Sequence, residues 1–271
     1  VWDDHSPYTH FWEKGGRGSC KSSWAGLEIV LGMMANPGTH AVVMRQYANT
    51  LRGSVFTQIQ WAVHMLGVAH KWKFIPSRLC MEYRAKNRKP QEIRFLGLDD
   101  PQKIKSVKFE HGYPRYILFE APTEIKGGMP SRRVVLQSLM RGGDGFRVLY
   151  TYNPPPSQNN WVNTELLQDV PNRFVHHTDY RSVPAEGLGD AFLLEAELLK
   201  ETNEERYRHE YLGEVTGTGA EVFSNVTLRE ITNAEIAGFG YTKRALDFGF
   251  ATDPLLYHEM AFDKKPRTLY I

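Results

Sequence analysis

The sequence predicts an α/β fold in which helices flank a mostly parallel β-sheet. Two observations carry this prediction. Short apolar runs alternate along the chain with segments of helical periodicity, and a glycine-rich turn separates the first apolar run from the first helix. Strands that alternate with helices pair in parallel, because each helix returns the chain to the same end of the sheet.

The predicted elements follow in chain order. An apolar run at 8–12 precedes the glycine-rich turn, and the helix after it presents Trp24, Leu27 and Val30. Further strands are predicted at 40–44, 79–83, 92–96, 116–119 and 147–152, and further helices at 49–66, 134–140, 192–200 and 204–211. Asn203 is the predicted N-cap of the last helix. A linker rich in glycine and threonine follows at 213–219, and a final unit opens near Tyr241.

The composition is that of an ordinary globular protein, with 271 residues, 41% hydrophobic and 24% charged. No apolar run reaches the about 18 residues of a membrane span, so we expect no membrane partner. The first residues resemble no signal peptide. The two cysteines, Cys20 and Cys80, lack metal-ligand spacing, which favours a reducing, intracellular compartment.

Charge is unevenly distributed although the net charge is only +2. Between residues 71 and 115, twelve Lys and Arg stand against five Asp and Glu, whereas between 190 and 214 eight acids stand against three bases. A basic middle region could bind the phosphates of a nucleic acid. A solvated charged face accounts for it equally well.

The glycine-rich turn has the layout of a phosphate-binding loop, with a strand before it and a helix after it. The loop consists of Gly15, Gly16, Arg17, Gly18, Ser19, Cys20, Lys21, Ser22 and Ser23. Its backbone N–H groups and the N-terminus of the helix would face the anion. Lys21 would reach the β- and γ-phosphates, and the Ser22 hydroxyl would bind magnesium. Cys20 replaces the second glycine of the usual pattern, and we expect a negative φ there. A chance Lys-Ser in a glycine-rich loop is the alternative.

Polar residues follow two later strands. Glu120 comes directly after the apolar run 116–119, where an acid could hold magnesium and orient water. Asn153 follows the strand 147–152, where its amide could sense the γ-phosphate. A solvated strand-end carboxylate and a turn-forming asparagine before proline are the respective alternatives.

Taken together, these residues resemble the large terminase subunit of tailed bacteriophages. The resemblance rests on residues 15–23, 44–55, 94–106 and 246–254, with 152–155 similar to the coupling motif of the family and 177–180 similar to the segment after it. The resemblance implies an ATPase that drives double-stranded DNA into the procapsid, followed by an RNase H-like endonuclease. It implies ATP and Mg²⁺ as cofactors, with Mg²⁺ or Mn²⁺ at the nuclease site.

The resemblance also implies roles for individual residues. Lys21 and Ser22 would serve phosphate and magnesium, and Arg17 would contact the γ-phosphate or couple its loss to motion. Glu120 would be the Walker B acid and a magnesium ligand, and Asn153 would be the coupling residue. The implied partners are double-stranded DNA, the small terminase subunit, the portal of the procapsid and further copies of this chain in a ring. The resemblance also implies that the protein acts in the host cytoplasm, at the portal of the procapsid, during packaging.

For domains, we expect a P-loop ATPase over 1–183, a helical linker or lid over 184–240, and the start of a nuclease over 241–271. Asp247 resembles the first metal-binding carboxylate of that nuclease, whereas Asp253 fits a turn. We expect too few carboxylates here for a complete two-metal site. The sequence also departs from the usual pair of acids after the Walker B strand, since Ala121 follows Glu120 and the next acid is Glu124.

Two alternatives stay open. Another P-loop DNA translocase or helicase-like ATPase would share the same loop. A nucleotide-gated DNA-binding module without turnover would fit the single Walker B acid and Cys20.

Overall fold

The computed structural model describes residues 6–99, 104, 107–217, 229–247, 256–263 and 268–271. The chain divides into two compact units, Val1–Glu221 and Val222–Ile271. The larger unit contains an eight-stranded sheet and the smaller one a three-stranded sheet. Within the described ranges, no helix is both long and apolar enough to cross a membrane. The predicted domain boundaries after 183 and 240 stay predictions.

Strands and helices alternate through most of the larger unit. Its strands are β1 (His10–Gly15), β2 (Thr39–Arg45), β3 (Trp72–Ile75), β4 (Cys80–Tyr83), β5 (Gln91–Gly97), β6 (Tyr113–Glu120), β7 (Arg147–Tyr152) and β8 (Arg173–Thr178). Its α-helices are α1 (Lys21–Ala35), α2 (Thr57–Met65), α3 (Gly128–Leu139), α4 (Trp161–Glu165), α5 (Ala185–Leu188), α6 (Asp190–Thr202) and α7 (Glu204–Glu210).

The sheet has the strand order β3-β4-β5-β2-β6-β7-β1-β8. Every pair from β5 to β8 is parallel, and β3 and β4 pair antiparallel at one edge. The predicted mostly parallel sheet with flanking helices is therefore confirmed. The two edge strands, β3 and β8, were not predicted. The strand β3 has only four residues, and β8 carries polar residues that mask an apolar pattern.

Helices cover both faces of the sheet, so successive residues of one strand enter different cores. Phe11 of β1 and Leu118 of β6 pack on the side of α1 and α2. Trp12 and Ile117, one residue away in each strand, pack on the side of α3 and α4. Burial on both faces explains why the central strands read as continuous apolar runs.

The helix predicted over 49–66 is wrong in its first part. A 3₁₀ turn at Ala48–Thr50 and a π-helical turn at Arg52–Phe56 precede α2. Local hydrogen bonds explain the change, because the Ser54 hydroxyl donates to the Thr50 carbonyl at 2.6 Å and the Thr57 hydroxyl to the Arg52 carbonyl at 2.9 Å. Such bonds compete with the regular helical pattern.

The structure also tests the predicted start of two other helices. The helix predicted over 134–140 begins earlier, at Gly128, with Pro130 in its first turn, where a missing N–H group does no harm. The Asn203 N-cap is confirmed, since its side chain accepts a 2.9 Å hydrogen bond from the backbone N–H of Arg206.

The smaller unit contains α8 (Asn233–Gly238) and an antiparallel sheet of β9 (Thr242–Asp247), β10 (Leu256–Asp263) and β11 (Thr268–Tyr270). Thr232 and Glu235 form a capping box at the start of α8, each bonding the other's backbone N–H.

Candidate nucleotide-binding site

The glycine-rich loop lies where three neighbouring strands end. β1 runs between β7 and β8 and ends at Gly15, and α1 begins at Lys21. An open cleft of about 580 Å³ adjoins the loop. Its lining includes loop residues 16–23, Glu120 from the end of β6, and Thr151, Tyr152 and Asn153 from the end of β7. The fold thus brings the predicted site residues of the larger unit together.

Close contacts with backbone and side-chain atoms explain two glycines of the loop. A Cβ atom on Gly16 would lie 1.7 Å from the Tyr211 carbonyl oxygen, and one on Gly18 would lie 2.6 Å from the Phe192 ring. Gly18 also has a φ of +73°, which favours glycine. The loop is therefore packed directly against the segment that contains α6 and α7.

Cys20 departs from the expectation of a negative φ. Its φ is +57° and its ψ is +17°, in the left-handed region. The prediction was wrong because it judged the residue by its size, whereas the turn into α1 requires the backbone angle that glycine adopts without a Cβ clash. Cys20 is exposed, and its thiol makes only a 4.0 Å contact with the Gly18 carbonyl.

The Lys21 ammonium points back into the loop. It donates to the carbonyl oxygens of Gly15 at 3.1 Å and Gly16 at 2.7 Å, and to the Ser19 hydroxyl at 2.8 Å. Burial lowers the pKa of Lys21 to about 8, and the negative charge of Glu120 opposes that shift. An ammonium has three N–H groups, so these bonds occupy all of them.

Ser22 and Glu120 meet although 98 residues separate them in sequence. The Ser22 hydroxyl donates to Oε1 of Glu120 at 2.9 Å, and the Thr151 hydroxyl donates to Oε2. Burial raises the pKa of Glu120, while these two hydrogen bonds oppose the rise. The arrangement sets a hydroxyl and a carboxylate oxygen side by side under the loop.

The remaining predicted residues of the larger unit lie around this pair. Asn153 is exposed directly after β7. Arg17 is exposed as well, and its backbone N–H donates to the Glu210 carbonyl at 2.9 Å. Glu124, the next acid after Glu120, pairs with Arg45 at 3.3 Å. Ser23 accepts a 3.4 Å hydrogen bond from the Gln58 amide.

Comparison with protein families identifies the chain. The family model of the phage terminase large subunit matches residues 8–214, which include the loop, Glu120 and Asn153. The chain belongs to the phage terminase large subunit family. The predicted family is therefore confirmed.

Two curated terminase sequences are similar to this terminase chain. The large terminase subunit of Bacillus phage SPP1 is 39% identical over 264 residues, which cover 95% of this chain and 61% of that protein. The PBSX phage terminase large subunit of Bacillus subtilis strain 168 is 29% identical over 168 residues, which cover 60% of this chain and 36% of that protein. The chain thus spans about three fifths of the SPP1 protein.

Solved structures support the same fold. The large terminase of a thermophilic bacteriophage superposes with a TM-score of 0.63 at 14% identity, over 97% of this chain and 63% of that one. The HK97 bacteriophage large terminase superposes with a TM-score of 0.57 at 11% identity, over 99% of this chain and 59% of that one. At these identities, the likeness establishes the terminase fold.

The backbone of Asp247 ends β9 of the smaller unit, whereas its side chain and Asp253 lie outside the described residues.

In the larger unit, sequence reasoning missed Thr151 and Glu13, which the structure places beside the loop. Glu13 is only 3% exposed. A charged residue inside an apolar strand was the signal that could have found it, because such a group needs a partner when buried.

Proposed function

We propose that this terminase chain binds and hydrolyses ATP, and that hydrolysis drives double-stranded DNA into the procapsid. The observation that carries the proposal is the 2.9 Å hydrogen bond between Ser22 and Glu120 beneath the glycine-rich loop. The large terminase of the thermophilic bacteriophage has also been solved in complex with ADP, and its fold is similar over 97% of this chain. That neighbour supports nucleotide binding at the loop.

Magnesium fits the donors that meet here. Ser22 and Glu120 offer a hydroxyl and a carboxylate oxygen, and Mg²⁺ prefers hard oxygen ligands while keeping several of its waters. When bound, the ion would neutralise phosphate charge. Within the described residues, no cluster of three or more His, Cys, Asp or Glu could hold a metal ion. The proposed ion therefore depends on phosphate oxygens and water for its other ligands.

Each side chain then has a defined task. Lys21 and the loop N–H groups bind the β- and γ-phosphates, and the start of α1 adds its positive dipole. Glu120 orients the attacking water and accepts its proton, a role that a raised pKa favours. Arg17 and Asn153, which are exposed and line the cleft, contact the γ-phosphate and sense its loss.

The activities of a whole terminase belong to the proposal as well. We expect an ATPase domain at 1–183, a lid at 184–240, and the start of an RNase H-like nuclease at 241–271 in which Asp247 binds Mg²⁺ or Mn²⁺. The expected partners are double-stranded DNA, the small terminase subunit, the portal and other copies in a ring, at the procapsid in the host cytoplasm. In a full-length terminase, Asp247→Ala should abolish DNA cleavage and leave ATP hydrolysis near normal.

Steady-state phosphate release, with and without duplex DNA, tests the ATPase proposal. Lys21→Ala should abolish phosphate release and remove most of the nucleotide binding, because this variant removes the cation placed to meet the β- and γ-phosphates. The matched control is Lys73→Ala in the edge strand β3, an exposed lysine whose loss should leave DNA-free turnover unchanged.

The same assay separates the alternatives. Nucleotide binding without any turnover would favour a nucleotide-gated DNA-binding module. Normal turnover by Lys21→Ala would overturn the assignment of the loop itself.

A further inference from the structure

A second cavity also reaches the pair formed by Ser22 and Glu120. It has a volume of about 420 Å³ and is distinct from the cleft beside the glycine-rich loop, although Ser22 and Glu120 line both. Its other walls come from the π-helical turn, from the start of α2 and from Leu118 of β6. The proposed ATPase mechanism uses the cleft for the nucleotide phosphates and leaves this cavity without a task.

The π-helical turn shapes the cavity. Ser54 and Thr57 line it, and their hydroxyls donate to the carbonyls of Thr50 at 2.6 Å and Arg52 at 2.9 Å. The protons of these hydroxyls are therefore committed to the turn itself. Turns of the π-helical type occur frequently at functional sites, and this one leads the chain directly into the cavity-lining part of α2.

Gln58 of α2 contributes an amide to the cavity wall. Its Nε2 donates to the Ser23 hydroxyl at 3.4 Å, which is long for a hydrogen bond. Among the residues that the structure describes, no donor contacts its Oε1. An amide oxygen has two lone pairs, so Gln58 can accept a hydrogen bond from a molecule in the cavity.

The cavity also contains the acid that is proposed to activate water. Of the described residues that line the cleft and the cavity, Glu120 is the one acid. It accepts from Ser22 at 2.9 Å and from Thr151, and a carboxylate has room for further hydrogen bonds. Glu124, the next acid in sequence, instead pairs with Arg45 at 3.3 Å. A second acceptor that orients the water must therefore be a neutral group.

We propose that Gln58 is a positioning residue of the ATPase site, whose amide oxygen holds the attacking water in this cavity while Glu120 accepts a proton from it. A water molecule has two O–H groups, and two acceptors fix the direction of its lone pair. This inference rests on the proposed ATP hydrolysis and adds a residue to it.

The step that Gln58 would assist is the attack on the γ-phosphate. The water oxygen bonds to the γ-phosphorus, and the bond from that phosphorus to the bridging oxygen breaks, leaving its electron pair on ADP. One proton of the water passes to Glu120. The other proton, which Gln58 holds during the attack, stays on the oxygen that becomes part of inorganic phosphate. In-line attack requires the water to be positioned before the reaction, so a misplaced water lowers the rate.

The first experiment separates turnover from binding. Gln58→Met keeps the length of the side chain and suits a helix, but it removes the amide. Its kcat for phosphate release should fall about 10- to 100-fold, as expected for a misplaced reacting group. Its Kd for a fluorescent ADP analogue with Mg²⁺ should stay within about twofold of the wild-type value, because ADP binding does not involve the attacking water.

Two outcomes of this experiment would overturn the inference. One is an unchanged kcat, and the other is a fall in kcat that is matched by an equal loss of affinity for ADP and Mg²⁺. Gln60→Met is the matched control, because it makes the same chemical change on α2 at a residue outside the described cavity lining. Both its kcat and its Kd should equal those of the wild type.

The second experiment needs no turnover. ADP with aluminium fluoride mimics the phosphoryl group during transfer and retains the attacking water in line. The wild-type protein should bind this complex more tightly than ADP alone, and Gln58→Met should lose about tenfold of that affinity, because the contact with the water is made in the transition state. Equal affinity of both proteins for the complex would refute the role of Gln58.

A structural role of Gln58 is tested separately, because its bond to Ser23 also joins α2 to α1. Urea unfolding should give the same stability for Gln58→Met and the wild type. Should Gln58→Met not fold, Gln58→Ala provides the same two tests, since alanine also suits a helix and lacks the amide.

Failure of this inference differs from failure of the proposed function. If the wild-type protein neither binds ADP nor releases phosphate from ATP, the proposed function itself is refuted, and the role of Gln58 with it. If the wild-type protein hydrolyses ATP in a Lys21-dependent manner and a folded Gln58→Met does so equally fast, only the role of Gln58 is refuted.

Discussion

Replacing Cys20 by glycine should stabilise the larger unit. Cys20 adopts a φ of +57° at the turn into α1, and its exposed thiol donates a long hydrogen bond of 4.0 Å to the Gly18 carbonyl. The side chain therefore contributes little that glycine would lose. Glycine adopts this backbone angle without the clash between Cβ and the following carbonyl.

The expected gain follows from two opposing terms. Relief of the left-handed conformation is worth about 1–2 kcal/mol. Glycine loses more conformational entropy on folding, which costs about 0.5–1 kcal/mol. The net gain in the free energy of unfolding of Cys20→Gly is then about 0–1.5 kcal/mol, and its middle value of about 0.75 kcal/mol corresponds to roughly 2–3 °C in Tm for a unit of this size.

Urea unfolding followed by tryptophan fluorescence measures this gain. All six tryptophans precede residue 222, so their fluorescence reports the larger unit alone. Cys20→Ala keeps the Cβ atom and serves as the control, with stability within about 0.5 kcal/mol of the wild type. Cys20→Val adds a β-branch at a positive φ and should cost at least about 1 kcal/mol.

The order of stability carries the test. If the backbone at Cys20 is strained, the free energy of unfolding is highest for Cys20→Gly, intermediate for the wild type and Cys20→Ala, and lowest for Cys20→Val. A less stable Cys20→Gly together with an unperturbed Cys20→Val would show that this backbone angle carries no strain.

Three further outcomes are expected. Glu120→Gln should retain nucleotide yet lose hydrolysis by about 100-fold or more, because an amide cannot accept the proton of water; phosphate release and ADP binding measure the two effects. Glu124→Gln should hydrolyse ATP normally, because Glu124 is exposed and paired with Arg45; a dead Glu124→Gln beside an active Glu120→Gln would show that the acid was misassigned. The turn between β4 and β5 carries three exposed cations, Lys86, Arg88 and Lys89. Replacing all three should weaken the binding of unrelated DNA duplexes equally and should reduce the slope of log K against log salt concentration by about 2–3. Unchanged DNA affinity in that triple variant would place these side chains against solvent or a neighbouring subunit.

Local patterns made much of the fold predictable. A strand, a glycine-rich turn and a helix within the first 35 residues specify β1, the loop and α1, and the apolar runs ending at Glu120 and Asn153 specify β6 and β7. These signals lie within a few residues of each other. Backbone sterics and the periodicity of burial act over that range, so the sequence displays them directly.

Elements without a clean period were less predictable. The edge strand β3 has only four residues and the edge strand β8 is largely polar. The π-helical turn at Arg52–Phe56 depends on side-chain hydrogen bonds to the backbone. A periodic count of apolar residues detects neither case, because each depends on a hydrogen-bond partner.

The sequence by itself determined that this terminase chain carries a glycine-rich loop between a strand and a helix, and an acid at the end of a later strand. The tertiary structure alone decided that Glu13, Thr151 and His176 lie in one row with Glu120. Strand order and register create that row, and they join residues as far apart as 163 positions. The structure also decided that the ammonium of Lys21 is buried in its own loop, because only packing removes that charge from water and lowers its pKa to about 8.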